Sequence, residues 1–99
     1  METYFCRLNP PRPTFAADMT PAEAELMKAH ADYWRRNMEA GKVVAFGPVA
    51  DPAGAFGICI LEVADEAEAD RLTASDPVIR ADAGFSFEMH PMPRGAIHP

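Results

Sequence analysis

The order of a few short periodic segments constrains the fold of this chain more than any other feature. An alternating strand pattern from Glu2 to Leu8 is followed by a long helix pattern, two strand patterns, a second helix pattern and a last strand. The connections are too short for an elaborate topology, so neighbouring segments must lie beside one another. The sequence therefore predicts an α+β fold.

The first helix has strong signals at both ends. Thr20 is a good N-cap, Pro21 suits the first helical position and Glu23 stands where it completes a capping box. Gly41 is a natural C-terminal stop. We predict a helix at Pro21–Ala40.

The remaining segments complete the topology. Asp51, Pro52 and Gly54 suit a type I turn, which predicts a hairpin between the strands on either side of it. The predicted elements here are strands at Lys42–Gly47, Ala55–Val63 and Gly84–Met89, and a helix from about Asp65 to Ala74 that buries Ala67 and Leu72. This order favours the ferredoxin-like βαββαβ arrangement, a four-stranded antiparallel sheet with two helices on one face.

The strand Ala55–Val63 is apolar on both of its faces. Phe56, Ile58 and Ile60 alternate with Cys59 and Leu61, whereas a sheet face open to water is normally polar. Two helices cover only one face, so we predict that a second copy of the chain covers the other in a homodimer.

Composition limits the protein to few classes. Its 99 residues predict one domain, residues 1–99, and 48% of them are hydrophobic. A net charge of -6 argues against nucleic-acid and anionic-membrane partners. With neither an export signal nor a membrane-spanning run evident, we expect a cytoplasmic protein. Cys6 and Cys59, among apolar neighbours, are best interpreted as buried free thiols, with a disulfide or a catalytic thiol as alternatives.

One histidine stands in an unusual position. His30 lies at the centre of the apolar stripe of the first helix, with Leu26, Met27, Tyr33 and Trp34 one turn away on either side. A titratable ring in that position needs a polar partner or a cavity. It is either a hydrogen-bonded core residue or a group that transfers protons in a pocket.

Asp76 is the best candidate for the partner of His30. An aspartate before a proline is an ordinary helix cap, and this alone explains Asp76-Pro77. Capping is compatible with catalysis, however, because a carboxylate fixed at a helix N-terminus can orient an imidazole through one ring nitrogen and leave the other free.

Other residues are candidates for the walls of a pocket. Tyr33 and Trp34 are either core residues or an apolar wall, and Gly47-Pro48 is either part of a rigid hairpin or a wall. Arg12 is either solvated or in contact with an anionic substituent of a ligand. His90 and His98 add no metal-ligand spacing, so we expect neither a metal nor another cofactor.

Taken together, these motifs resemble the YciI-like (YCII-related) family. The resemblance is carried by the order and spacing of Pro11–Phe15, Asp18-Met19, His30 with Tyr33-Trp34, Gly47-Pro48-Val49, Asp51-Pro52, Gly54 and Asp76-Pro77. It implies a ferredoxin-like fold assembled as a dimeric α+β barrel, and an active site that maps onto His30 and Asp76. The family is similar in fold to muconolactone isomerase-like proteins and includes a dehydrochlorinase that acts on a chlorinated hydroxyquinol. The long Asn9–Met19 loop departs from its shortest members.

Two functions follow as hypotheses. In the first, the chain is a cofactor-independent enzyme of isomerase, lyase or dehydrohalogenase type. His30 and Asp76 then perform acid–base chemistry on a small cyclic or aromatic-derived molecule. In the second, it is a non-catalytic dimeric module that binds a small ligand or regulates a partner. A free imidazole nitrogen facing a cavity favours the enzyme, whereas two bonded nitrogens favour the module.

Overall fold

The predicted alternation of side chains produces a four-stranded antiparallel sheet in the computed structural model, which describes residues 1–99. The strand order is β2-β3-β1-β4, which confirms the α+β, ferredoxin-like prediction. In chain order the elements are β1 (Glu2–Asn9), α1 (Phe15–Asp18), α2 (Pro21–Glu39), β2 (Val43–Val49), β3 (Phe56–Val63), α3 (Glu66–Ala74), α4 (Pro77–Arg80) and β4 (Ser86–Pro91).

Helix α2 begins where its capping box predicts. The Glu23 backbone N–H donates to Thr20 Oγ1 at 3.1 Å, and the Thr20 N–H donates to Glu23 Oε1 at 2.9 Å. The chain leaves the helix through Gly41, whose φ of +80° is accessible to glycine at little cost. None of the helices is long and apolar enough to cross a membrane.

The hydrophobic core lies between the helices and one face of the sheet. Alternate strand residues point into it because side chains on a strand alternate between faces. The buried hydrophobic residues are Tyr4, Cys6, Leu8, Val43, Cys59, Leu61 and Val63 from the strands, with Phe15, Trp34, Ala69 and Val78 from the helices. Cys6 and Cys59 face each other across β1 and β3 as buried free thiols. Their hydrogen bond, together with burial, raises the pKa of Cys59.

The opposite face of the sheet carries no helix. Phe5, Ile58 and Ile60 lie on it, only partly buried, and belong neither to the core cluster nor to the side chains packed against it. At its β4 side, Glu88 forms an ion pair with Arg7 at 3.9 Å. The exposed face therefore carries an apolar patch beside this ion pair, with the Arg7 guanidinium 3.8 Å from the Phe56 ring.

The structure differs from the sequence predictions in several places. The short helix α1 lies within a segment that we predicted as loop, and β2 continues through Pro48, which an edge strand tolerates. Ala67, predicted to be buried, is exposed, whereas Ala69 and Thr73 are buried. Thr73 is accommodated because its hydroxyl donates to the Ala69 carbonyl at 3.1 Å.

Candidate active site

Asp76 is the most completely buried charged group in the protein. It caps α4, where its Oδ1 accepts the Val78 backbone N–H at 2.9 Å, and its side chain has 0% exposure. Its Oδ2 accepts from two side chains of α2, the indole N–H of Trp34 at 2.6 Å and Nδ1 of His30 at 2.7 Å. A buried carboxylate is tolerable only with such donors, so Asp76 joins α2 to the start of α4.

The hydrogen bond to Asp76 fixes the chemistry of His30. A carboxylate only accepts, so Nδ1 must carry the proton, and in the neutral ring Nε2 is then an unprotonated base. No protein group bonds to Nε2, and no buried side-chain nitrogen or oxygen lacks a partner, so Nε2 must be accessible. The side chain is 15% exposed and lines a cavity.

That cavity has a volume of about 310 Å³. It lies between the first half of α2, the segment from Pro10 to Met19, and the ends of β2 and β3 that meet at the hairpin. Gly47 and Pro48, which we singled out from the sequence, line it. A hollow of about 370 Å³ lies elsewhere, between the start of β1 and residues 91–95, and His30 and Asp76 do not line it.

Tyr33 and Trp34 do not line the cavity, although they share the apolar stripe with His30. The cavity contacts α2 only at Met27, His30 and Ala31, whereas the stripe continues into the core. Trp34 is 1% exposed, and the Tyr33 hydroxyl donates to the Leu72 carbonyl at 2.6 Å. Trp34 therefore contacts Asp76 from the core side, whereas Tyr33 packs against Trp34 and joins α2 to α3.

Arg12 also lies outside the cavity lining. Its guanidinium donates to both carboxylate oxygens of Glu23, at 2.7 and 2.9 Å, and to Asp18 Oδ1 at 2.7 Å. These bonds hold the pKa of Glu23 at about 2, chiefly through Arg12 and secondarily through the Thr20 backbone. Arg12 thus fastens the segment that carries α1 to the start of α2.

Sequence patterns did not identify much of the apolar lining. Phe15 from α1 and Phe85 meet edge to face with ring centroids 5.2 Å apart, and both line the cavity with Met19 and Phe46. Phe15, an aromatic residue in a proline-rich segment, is the one sequence signal for this part of the lining, because a large aromatic side chain is stabilised when it packs against other apolar groups. The structure contains no group of three or more His, Cys, Asp or Glu residues arranged to hold a metal ion.

Comparison with known proteins agrees with this architecture. A search of curated proteins found no match. A solved structure, the 5-chloro-2-hydroxyhydroquinone dehydrochlorinase TftG from Burkholderia phenoliruptrix AC1100 in complex with 2,5-dihydroxybenzoquinone, is similar with a TM-score of 0.57 and 18% identity. The match covers 86% of this chain and 90% of that one, and at this identity it establishes the fold alone. The profile of the YCII-related domain matches residues 3–93, and the chain belongs to that family.

Proposed function

We propose that this protein is a cofactor-independent acid–base catalyst of isomerase, lyase or dehydrohalogenase type that acts on a small cyclic or aromatic-derived molecule. The observation that carries the proposal is the environment of the two nitrogens of His30. Nδ1 is held by a buried carboxylate, whereas Nε2 has no protein partner and its ring lines a cavity. A purely structural histidine would be expected to satisfy both nitrogens.

In the proposed reaction, Nε2 of His30 removes a proton from a C–H or O–H group of the bound molecule. The resulting imidazolium donates from Nδ1 to the Asp76 carboxylate, which stabilises the positive charge as it forms. In an isomerisation, Nε2 returns the proton to another atom of the same molecule. In an elimination, the electrons of the broken C–H bond form a double bond, the leaving group departs with its bonding electrons, and His30 releases its proton to water.

Asp76 and Trp34 contribute as positioning residues in this proposal. Neither lines the cavity, and the indole N–H of Trp34 occupies the same Asp76 oxygen as Nδ1 of His30. Because Oδ2 accepts from both side chains, the Asp76 carboxylate cannot rotate without breaking one of these bonds. The bond at Nδ1 in turn keeps Nε2 directed away from the carboxylate. An imidazole so held is sufficient for proton transfer, so the proposal includes no cofactor.

The proposal includes assembly as a homodimer through the open face of the sheet. Phe5, Ile58 and Ile60 lie on that face without a covering element, and contiguous apolar surface of this kind is typical of subunit interfaces. In this arrangement, each chain keeps its cavity on the helix side of its own sheet.

The experiment is a turnover assay with a panel of cyclic ketones, enols and halogenated phenols in D2O. Deuterium incorporation is followed by NMR and halide release by ion chromatography. We expect turnover of at least one compound, and a loss of about 10²–10⁴-fold in His30→Gln, the range typical of a general base. His98→Gln, in the exposed tail, is the matched control and should retain full activity. Binding without turnover would contradict catalysis and favour the ligand-binding module. Turnover that persists in His30→Gln would contradict the role of His30 as the base.

A further inference from the structure

The lining of the cavity is almost free of polar groups. His30 is the only residue with a polar side chain among the fifteen that line it, and the others are apolar residues or glycine. Three arginines lie over aromatic rings of the lining but do not line the cavity themselves: Arg7 is 3.8 Å from the Phe56 ring, Arg12 5.3 Å from the Phe15 ring and Arg35 5.9 Å from the Phe46 ring. Arg12 is in addition paired with Glu23 and Asp18. The lining thus offers a ligand one hydrogen-bonding side chain, His30, and no Asp, Glu, Lys or Arg.

A charged ligand would lose hydrogen bonds to water on entering this cavity, and the lining would replace few of them. Transfer of an unpaired carboxylate into apolar surroundings is strongly unfavourable, and Asp76 behind the imidazole adds repulsion. Protonated His30 offers an anion one donor at Nε2, but a carboxylate also needs partners for its second oxygen. The lining therefore discriminates against anions and against molecules with several polar groups.

The size of the cavity limits the ligand further. A volume of about 310 Å³ is at the lower end of the range of small-molecule pockets, about 300–1,000 Å³, which suits a single ring with a small substituent. The edge-to-face pair of Phe15 and Phe85 presents aromatic surface at one side, and Met19 and Met27 are flexible enough to adjust to the shape of a ring.

We propose that the ligand of this cavity is an uncharged monocyclic molecule with a single hydroxyl or carbonyl group, while the rest of the ring contacts apolar side chains. A hydroxyl donates to Nε2 of His30 in the neutral imidazole, and a carbonyl accepts from Nε2 in the imidazolium. The inference rests on the proposed function in assigning Nε2 as the reacting group. The inference assigns this chain a different class of ligand from that of TftG, whose complex contains 2,5-dihydroxybenzoquinone. That molecule carries four oxygens, and this cavity supplies one polar side chain to receive them.

The test measures binding of a matched pair of probes by NMR titration of the whole protein at neutral pH. 4-Ethylphenol is neutral there, and 4-methylbenzoate, of similar size, is ionised. We expect 4-ethylphenol to bind at least about tenfold more tightly, the equivalent of one hydrogen bond or more. Equal binding, or tighter binding of 4-methylbenzoate or 2,5-dihydroxybenzoquinone, would overturn the inference.

A cation placed in the cavity should reverse this preference. Ala31→Lys introduces an ammonium at a lining position, and we expect it to favour 4-methylbenzoate over 4-ethylphenol. Ala29→Lys, on the exposed side of the same helix, adds the same charge outside the cavity and should leave the preference unchanged. If Ala31→Lys does not fold, Met27→Lys provides a second lining position. An unaltered preference in the folded lining variant would contradict the assignment of this cavity.

Measuring binding and turnover separately shows whether this inference or the proposed function fails. His30→Gln should lose turnover yet still bind the phenol in preference to the benzoate, because its lining remains uncharged. Preferential binding of 4-ethylphenol without turnover of any compound refutes catalysis and leaves the ligand class standing. Turnover of anionic substrates at rates that match neutral ones refutes the ligand class and leaves catalysis standing.

Discussion

Nδ1 of His30 lies 2.7 Å from Oδ2 of Asp76, although the two residues stand 46 positions apart in the chain. The carboxylate is placed by its role as the cap of α4, and the imidazole by its position on the inward stripe of α2. The carboxylate that caps α4 thus also accepts the hydrogen bond that the largely buried His30 ring requires.

Asp76→Asn should destabilise the fold. The carboxylate accepts three hydrogen bonds on two oxygens, whereas an amide has one accepting oxygen and an NH2 group that faces a donor. We expect the free energy of unfolding to fall by about 1–3 kcal/mol, the cost of one orphaned buried donor. Urea denaturation measures it. Asp70→Asn, on the exposed side of α3, should change stability by less than about 0.5 kcal/mol. Equal stability of the two variants would contradict the role of Asp76.

The order of elements was predictable because its signals are local. The capping box at Thr20 and Glu23, the turn at Asp51–Gly54 and the alternation in β1 each depend on residues close in sequence. The pairing of Asp76 with His30 was also predictable, since a buried histidine and a capping carboxylate are each visible as unusual features.

The composition of the cavity was not predictable in the same way. For Arg12 the sequence offered solvation or contact with a ligand, but not its partners Glu23 and Asp18, which become neighbours only when the segment before α2 folds back over it. For Trp34 it offered the core or a wall, but periodicity does not reveal that the indole N–H points to Asp76. Both outcomes depend on contacts between distant segments, which local patterns do not determine.

Gly84→Ala should destabilise the protein more than Gly41→Ala. Both glycines have positive φ, +89° and +80°, so an alanine at either position strains the backbone by about 1–3 kcal/mol. At Gly84, an added Cβ would also lie 2.9 Å from Cβ of Pro11, whereas at Gly41 it would meet nothing within 4 Å. Thermal unfolding of the two variants compares the costs. A larger loss in Gly41→Ala would contradict the close approach of Pro11 to Gly84.

Ile60→Glu should convert the proposed homodimer into a folded monomer. Ile60 lies on the open face of the sheet opposite Phe5 and Ala45, where a carboxylate would be buried without a partner in the dimer but solvated in the monomer. Light scattering coupled to size-exclusion chromatography measures the mass, and circular dichroism checks the fold. Ala74→Glu, exposed on the helix side, should remain dimeric. A monomeric wild-type protein at micromolar concentration would refute the dimer.

Arg12→Gln should raise the pKa of Glu23 from about 2 toward the ordinary value of 4.5. The rise should be incomplete, because the Thr20 backbone N–H still donates to the carboxylate. NMR titration of the Glu23 carboxyl carbon measures the midpoint. Arg36→Gln, which removes an exposed arginine from the same helix, is the matched control and should leave that midpoint unchanged. An unchanged midpoint in Arg12→Gln would show that Arg12 does not hold Glu23.

The same pair predicts how stability depends on pH. The folded-state pKa of Glu23 lies below its unfolded value, so ionised Glu23 contributes stability above about pH 4.5, and that contribution is lost as the pH falls toward about 2. Arg12→Gln brings the two pKa values closer, so its stability should decline less steeply across this interval. Urea midpoints at several pH values compare the slopes, and Arg36→Gln should follow the wild-type curve. Parallel curves for Arg12→Gln and the wild type would mean that the pair does not fasten this segment in solution.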